Sequence, residues 1–209
     1  MQLVSYRIVY WIIEALYGKA ALGLYSVANQ LAEGAWIAPR SMGLVLLSKV
    51  SNLNDEVHKR GLTLTTARIA VGIAFIIVLP FALMPDRFYH WVFGEEISGV
   101  QPLVLLLTPG VLAMSASQAF SHFFSGTALN QHNLFGSGLG MVAILLCAPV
   151  LIPRYGLAGA AVSASVAYST SVVYQIIIFH RVTGSTWKDL VPRSTDLALL
   201  SELRRRMRA

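Results

Sequence analysis

Six apolar stretches, each close to the length of a bilayer crossing, constrain this chain more than anything else in it: residues 2–17, 20–38, 62–84, 100–129, 134–152 and 157–179. A spanning helix needs about 20 mostly apolar residues, because roughly 30 Å of hydrocarbon is crossed at about 1.5 Å per residue. The stretches are separated by Gly18-Lys19, Pro39-Arg40, Pro85-Asp86, Asn130-Gln131 and Pro153-Arg154, combinations that end or turn helices. With 56% hydrophobic and 12% charged residues, the chain holds about half the charge of a soluble domain. These features predict an all-α, polytopic membrane helix bundle of about six transmembrane helices over residues 1–180, followed by a cytoplasmic basic tail at 181–209. The first stretch is short and holds Arg7 and Glu14, so it reads either as an interfacial helix or as a spanning helix whose beginning is missing. It lacks the basic leader and small-residue cleavage site of a signal peptide.

The distribution of positive charge tests this reading independently. With both termini on one face of a six-helix bundle, that face receives Arg7, Arg40, Lys49, Lys59, Arg60, Arg68, Arg181, Lys188, Arg193, Arg204, Arg205, Arg206 and Arg208, and only Lys19, Arg87 and Arg154 fall on the other. Such a 13-to-3 split of the 16 lysines and arginines is what the positive-inside rule expects, and it places both termini in the cytoplasm. A nucleic-acid partner, which pI 9.7 would otherwise suggest, loses its motive, because topology and anionic membrane lipid already account for the basic residues.

Polar residues inside the apolar stretches are then the candidates for function. In "YSVANQLAEGAWIAPRSMG", residues 25–43, Ser26, Asn29 and Glu33 follow a three-then-four spacing on one helix face, with Gln30 beside them. Arg40 continues that line if Pro39 only kinks the helix. The fourth stretch repeats the pattern with Ser115, Gln118, His122 and Ser125 after the bend-prone Pro109-Gly110. Serine and asparagine on such faces also act as hydrogen-bond glue between helices, contributing about 0.6 kcal/mol each. A carboxylate within the membrane costs several times more, so Glu33 marks a hydrophilic cavity. The candidate substrate- or ion-binding residues are therefore Asn29, Gln30, Glu33, Arg40, Gln118 and His122.

Arg68, one turn into its helix, reads as a side chain snorkelling to the headgroups. The run "YGLAGAAVSASVAYS" at 155–169 reads as close helix packing, and "PDRFYHWVFGEE" at 85–96 as an interfacial belt or short surface helix. The segment after Pro39 reads as half-buried and leading into a loop. No catalytic residue or metal site is expected: the sequence holds no phosphate-binding glycine loop, no nucleophile elbow and no paired metal-binding histidines, and its one cysteine, Cys147, sits within an apolar run.

Residues 22–51, "LGLYSVANQLAEGAWIAPRSMGLVLLSKVS", resemble a stretch past the midpoint of bacterial polysaccharide biosynthesis membrane proteins. These form the oligosaccharide flippase branch of the multidrug/oligosaccharidyl-lipid/polysaccharide exporter (MATE-like) superfamily. Two later landmarks occur in the same order, "FGEEISGVQPLVLLLTPG" at 93–110 and "LIPRYGLAGAAVSASVAYS" at 151–169. The resemblance implies the second half of a transporter with twelve to fourteen helices, working with an N-terminal half or a second copy of itself. It implies a cell inner-membrane translocase for a polyprenyl-diphosphate-linked oligosaccharide, acting beside a polysaccharide polymerase and glycosyltransferases. It also implies no cofactor beyond a coupling Na+ or H+. A multidrug or small-cation exporter of the same superfamily, or a non-transporting membrane scaffold, are the alternative readings.

Overall fold

The computed structural model describes residues 2–94 and 98–191, with side chains from residue 8 onward. The expectations for Arg7, for Glu95-Glu96 and for the tail beyond residue 191 lie outside the described side chains. Among the described residues every regular element is helical: α1 (Gln2–Glu33), α2 (Ile37–Asn52), α3 (Glu56–Leu83), α4 (Asp86–Phe93), α5 (Val100–Gly126) and α6 (Gln131–Thr183), with short 3-10 turns at Gly34–Trp36 and Trp187–Leu190. Three of these, α3, α5 and α6, are long and apolar enough to cross a membrane by length and composition.

Two of the helices fold back on themselves. At 53 residues, a straight α6 would extend about 80 Å, more than twice the hydrocarbon thickness. Its path reverses at Gly156, whose φ of 59° and ψ of −137° leave the helical region, a conformation open to glycine because it has no Cβ. Asn133 then meets Gln175, and Gly140 lies against Ser171 and Ala167, as in an antiparallel hairpin. Sequence reading placed this break three residues earlier, at Pro153-Arg154. The prolines are instead carried within the helix, and the glycine makes the turn.

In the same way α1 reverses at Gly18 (φ 80°). The rings of Tyr10 and Tyr25 are 5.8 Å apart, and Asn29 Nδ2 donates to Tyr10 Oη at 3.4 Å. These last two residues are 19 apart in sequence and would be about 28 Å apart in a straight helix.

The expected end of the second stretch at Pro39-Arg40 is also displaced. The helix tightens to a 3-10 turn at Gly34–Trp36 and resumes as α2, with Pro39 in its first turn, where a missing N–H costs nothing. The segment read as half-buried and loop-bound is therefore a 16-residue helix. Helix α3 starts earlier than expected, at Glu56, because the Asp55 carboxylate accepts from the Val57 N–H at 2.9 Å and caps it. The surface helix expected in 85–96 is α4. It docks through Tyr89, whose hydroxyl donates to the Phe81 carbonyl. That oxygen has lost its helical donor because Pro85, four residues on, has no N–H.

The reversals and helices form six legs of alternating direction. The α1 and α6 turns meet at one end, where Tyr17 Oη donates to Ile152 O at 3.0 Å. The end of α3 joins the start of α5 there through Gln101, whose Nε2 donates to Ala82 O and whose N–H donates to Asp86 Oδ1. Helix α5 and the second leg of α6 run parallel from that end, tied by Ser165 Oγ to Leu106 O at 2.6 Å and by Ser117 Oγ to Gln175 Oε1 at 2.7 Å. At the opposite end Arg60 Nη1 donates to Thr183 O, and Arg68 Nη1 donates to Asp189 O at 2.6 Å. Arg68, read as snorkelling, thus pins the segment that follows α6. The turn end carries Lys19, Arg87 and Arg154; the other carries Lys49, Lys59, Arg60, Arg68, Arg181 and Lys188. These cations are segregated as the sequence argument expected, except that Arg40, assigned to the basic end, lies near the start of α2 beside His122.

Two apolar cores fill the bundle. The core nearer the turn end gathers Ile13, Tyr25, Val78, Leu107, Ile152 and Ala160 among others. The core nearer the basic end is built on Leu46, Val50, Phe120, Phe123, Phe124 and Phe179. The residues that the sequence marked as polar form a polar layer set among both: Ser26, Asn29 and Glu33 alternate with Tyr25, Ala28 and Ala32 of the first core, and Gln118 and His122 with Ala119, Phe120 and Phe123 of the second.

Candidate functional site

Glu33 is the last residue of α1, where the helix tightens into its 3-10 turn, and it is half-buried. Its Oε1 accepts a hydrogen bond from Tyr168 Oη at 3.0 Å. Tyr168 reaches across because α5 and α6 approach closely at Gly110, where a Cβ would stand 2.6 Å from the Ser165 Cα and 3.0 Å from the Tyr168 ring. On the same face of α1, Asn29 is 3% exposed and bonds Tyr10 Oη, which Ser26 also reaches. The charge of Glu33 acts on that hydroxyl too. The predicted face of Ser26, Asn29 and Glu33 is therefore real, and two tyrosines from other legs complete it.

A second group forms where α2 crosses α5. A Cβ at Gly43 would lie 2.2 Å from His122 Cδ2 and 3.3 Å from Gln118 O, so the absence of a side chain at 43 seats the imidazole against α2. Arg40, one turn before Gly43, is close enough for its charge to act on His122. Arg40 is exposed, and Gln118 and His122 are half-buried. Gln30 is exposed and belongs to neither group. The six candidates thus fall into a carboxylate group around Asn29 and Glu33 and a cationic group around Arg40 and His122, with Gln118 beside the latter.

The α5 stripe divides rather than acting as one face. Ser115 is buried and donates to Val111 O in its own helix at 2.9 Å, while Ser125 accepts from Asn133 Nδ2 at 3.2 Å. Asn133 belongs to a network that the sequence reading missed: it donates to Ser121 O at 2.9 Å and accepts from Gln175, which in turn accepts from buried Ser117. Tyr10, Tyr168, Gln175 and Asn133 were all missed as site neighbours. Only their polarity within apolar legs marked them, and Tyr168 lay in a small-residue run read as packing.

Chemically, the layer offers amide and hydroxyl groups to neutral polar ligands, a guanidinium with an imidazole to anions, and a carboxylate held by a phenol. Among the described residues, no three His, Cys, Asp or Glu side chains gather as a metal site would need.

No protein-family model matches the chain, and no solved structure matches it. A curated protein, the capsular polysaccharide biosynthesis protein CapF of Staphylococcus aureus, is 24% identical over 175 residues, covering 82% of this chain. The chain spans 44% of that relative's length. The similarity is to a protein named for capsular polysaccharide biosynthesis, and the chain itself holds three helices long and apolar enough to cross a membrane.

Proposed function

We propose that this chain is one half of a membrane translocase that moves a polyprenyl-diphosphate-linked oligosaccharide across the cytoplasmic (inner) membrane for surface polysaccharide synthesis. The observation that carries the reading is the presence, among the apolar cores, of a carboxylate group around Glu33, Asn29, Tyr10 and Tyr168 and a cationic group around Arg40 and His122. A head group of sugar hydroxyls and diphosphate cannot enter hydrocarbon unless such groups replace its water. The break at Gly34–Trp36, beside Glu33, is the kind of discontinuous helix that lines a transport site at mid-depth. The capsular relative supports the substrate class.

In this reading all six legs cross the membrane in a MATE-like arrangement, with the basic end and both termini in the cytoplasm. Arg40 attracts the diphosphate, with His122 beside it as a hydrogen-bonding neighbour. Asn29, Gln30 and Gln118 bond sugar hydroxyls. Glu33, oriented by Tyr168, repels anions from its side of the layer and takes the coupling Na+ or H+. The chain makes and breaks no covalent bond. An upstream half or a second copy closes the cavity, glycosyltransferases supply the substrate and a polymerase consumes the product.

The test is complementation of a strain lacking its polysaccharide translocase, with these 209 residues expressed with and without the preceding half. Restored surface polymer with the pair supports the reading. Absence of polymer from both, with the protein present in the membrane, overturns it in favour of a drug exporter or a scaffold.

A further inference from the structure

Away from the polar layer, α5 and the second leg of α6 enclose a groove of about 570 Å3 between Leu105, Leu106 and Pro109 on one side and Val166, Ser169 and Val173 on the other. Its size falls in the range of small-ligand sites. Two of its three hydroxyl groups are spent on backbone carbonyls, Ser165 on Leu106 O at 2.6 Å and Thr170 on Val166 O at 2.8 Å. The wall that remains is almost wholly apolar. Leu105, Val166 and Val173 are exposed.

Position in the fold decides what can occupy it. At about 100° per residue, the groove residues of α5 lie on the far side of that helix from Gln118 and His122. On α6, Val166, Thr170 and Val173 lie roughly 140° or more around the axis from Tyr168 and Gln175, while Ser165 and Ser169, about 60° and 100° from Tyr168, form the groove's inner edge. The groove therefore looks away from the polar layer. Its α6 wall runs about 8 to 25 Å along the axis from the Gly156 turn, within the depth that hydrocarbon occupies around a spanning helix.

We propose that this groove is a binding site for one acyl chain of a bilayer phospholipid, held as a resident structural lipid and distinct from the hydrocarbon tail of the transported substrate. A substrate whose head group lies in the polar layer would have to pass its tail between α5 and α6, where Gly110 meets Ser165 and leaves no gap. A phospholipid enters from the side. Its chain fills a gap that water cannot stabilise, because the wall has almost no free donor. The inference rests on α5 and α6 crossing the membrane and does not depend on what the protein transports.

The experiment uses the full chain in cell membranes with two photoreactive probes, a phosphatidylethanolamine carrying a diazirine on its acyl chain and a polyprenyl phosphate carrying one on its tail. Labelled peptides are counted by mass spectrometry. The exposed apolar face of α3, with Phe75, Ile76 and Leu79, measures ordinary contact with surrounding lipid. The expected result is acyl-probe labelling of the 105–109 and 162–173 peptides about tenfold above that of the α3 face. Ser169→Phe or Val166→Trp, which fill the groove, should abolish the excess. Labelling no higher than on α3, or preference for the polyprenyl probe, overturns the proposal, and both comparisons are made on the wild-type chain even if a filled variant folds poorly.

Discussion

Tyr168 donates a hydrogen bond to the carboxylate of Glu33 at 3.0 Å, across 135 residues of sequence. The bond fixes the Glu33 carboxylate at the point where α1 tightens and α2 begins. If Glu33 acts by its charge, Glu33→Gln should reduce polymer export by about tenfold or more, since a charge at this depth is worth at least a few kcal/mol. Tyr168→Phe leaves the charge and removes one bond worth about 0.6 kcal/mol, so its export should fall only a few-fold. Equal export from Glu33→Gln and wild type, at matched membrane abundance, would remove Glu33 from the mechanism.

The α6 hairpin depends on glycine at its crossing. A Cβ at Gly159 would stand 2.1 Å from the Leu151 carbonyl oxygen, a backbone atom that cannot rotate aside. Gly159→Ala should destabilise the purified protein by about 1–3 kcal/mol or more, a fall in Tm of about 2–4 °C per kcal/mol for a chain of this size. Gly138→Ala, where nothing lies within 4 Å, should leave Tm unchanged or raise it slightly. Thermal melting followed by circular dichroism in detergent separates the two.

At Gly43 the obstacle is a side chain. The 2.2 Å approach is to His122 Cδ2, and an imidazole can change rotamer. Gly43→Ala should therefore lower Tm less than Gly159→Ala while moving His122 away from Arg40. The expected signature is lost export with little lost stability, and a larger Tm drop than that of Gly159→Ala would show that the α2–α5 contact is structural.

Burial, with a smaller contribution from the nearby Asp86 charge, raises the pKa of the Tyr89 phenol above the ordinary 10.0. A raised folded-state value means that the stabilisation is complete below the ordinary tyrosine pKa and is lost as pH rises through the higher folded-state value. Ionisation also ends donation to Phe81 O, which holds α4 to α3. Subtracting the alkaline absorbance titration of Tyr89→Phe from that of wild type should leave one phenol that ionises late. Stability should fall at high pH more steeply in wild type than in the variant.

Charge segregation predicts which residues each side of the membrane can reach. In a Cys147→Ala background, Lys19→Cys and Arg154→Cys should react with an impermeant maleimide in intact cells. Lys49→Cys and Lys188→Cys should react only after permeabilisation. The opposite pattern would invert the proposed orientation.

Much of this architecture was legible before any coordinates. Apolar length and charge are summed over many residues, so the membrane class and the excess of basic residues at one end survive errors at single positions. The face of Ser26, Asn29 and Glu33 was legible because residues three and four apart share a helix side whatever surrounds them. Boundaries were less legible. Pro39 and Pro153 look like helix ends, yet both lie inside helices, because packing against neighbouring legs outweighs a local interruption. The reversal needed a glycine at positive φ, and sequence alone ranks a Pro-Arg pair above Gly156.

By itself, then, the sequence determined the solvent in which the chain folds, the alternation of its legs and the residues that share a face on each one. Tertiary structure alone decided which faces meet: Tyr10 and Tyr168 with the carboxylate group, His122 with Arg40 over a bare Gly43, and Gln175 with Asn133 and Ser117. The reason is physical. Helix periodicity is local and is written in short spacings, whereas a contact between legs depends on rotation and height, which close approaches such as that of Gly110 to Ser165 set across more than fifty residues of chain.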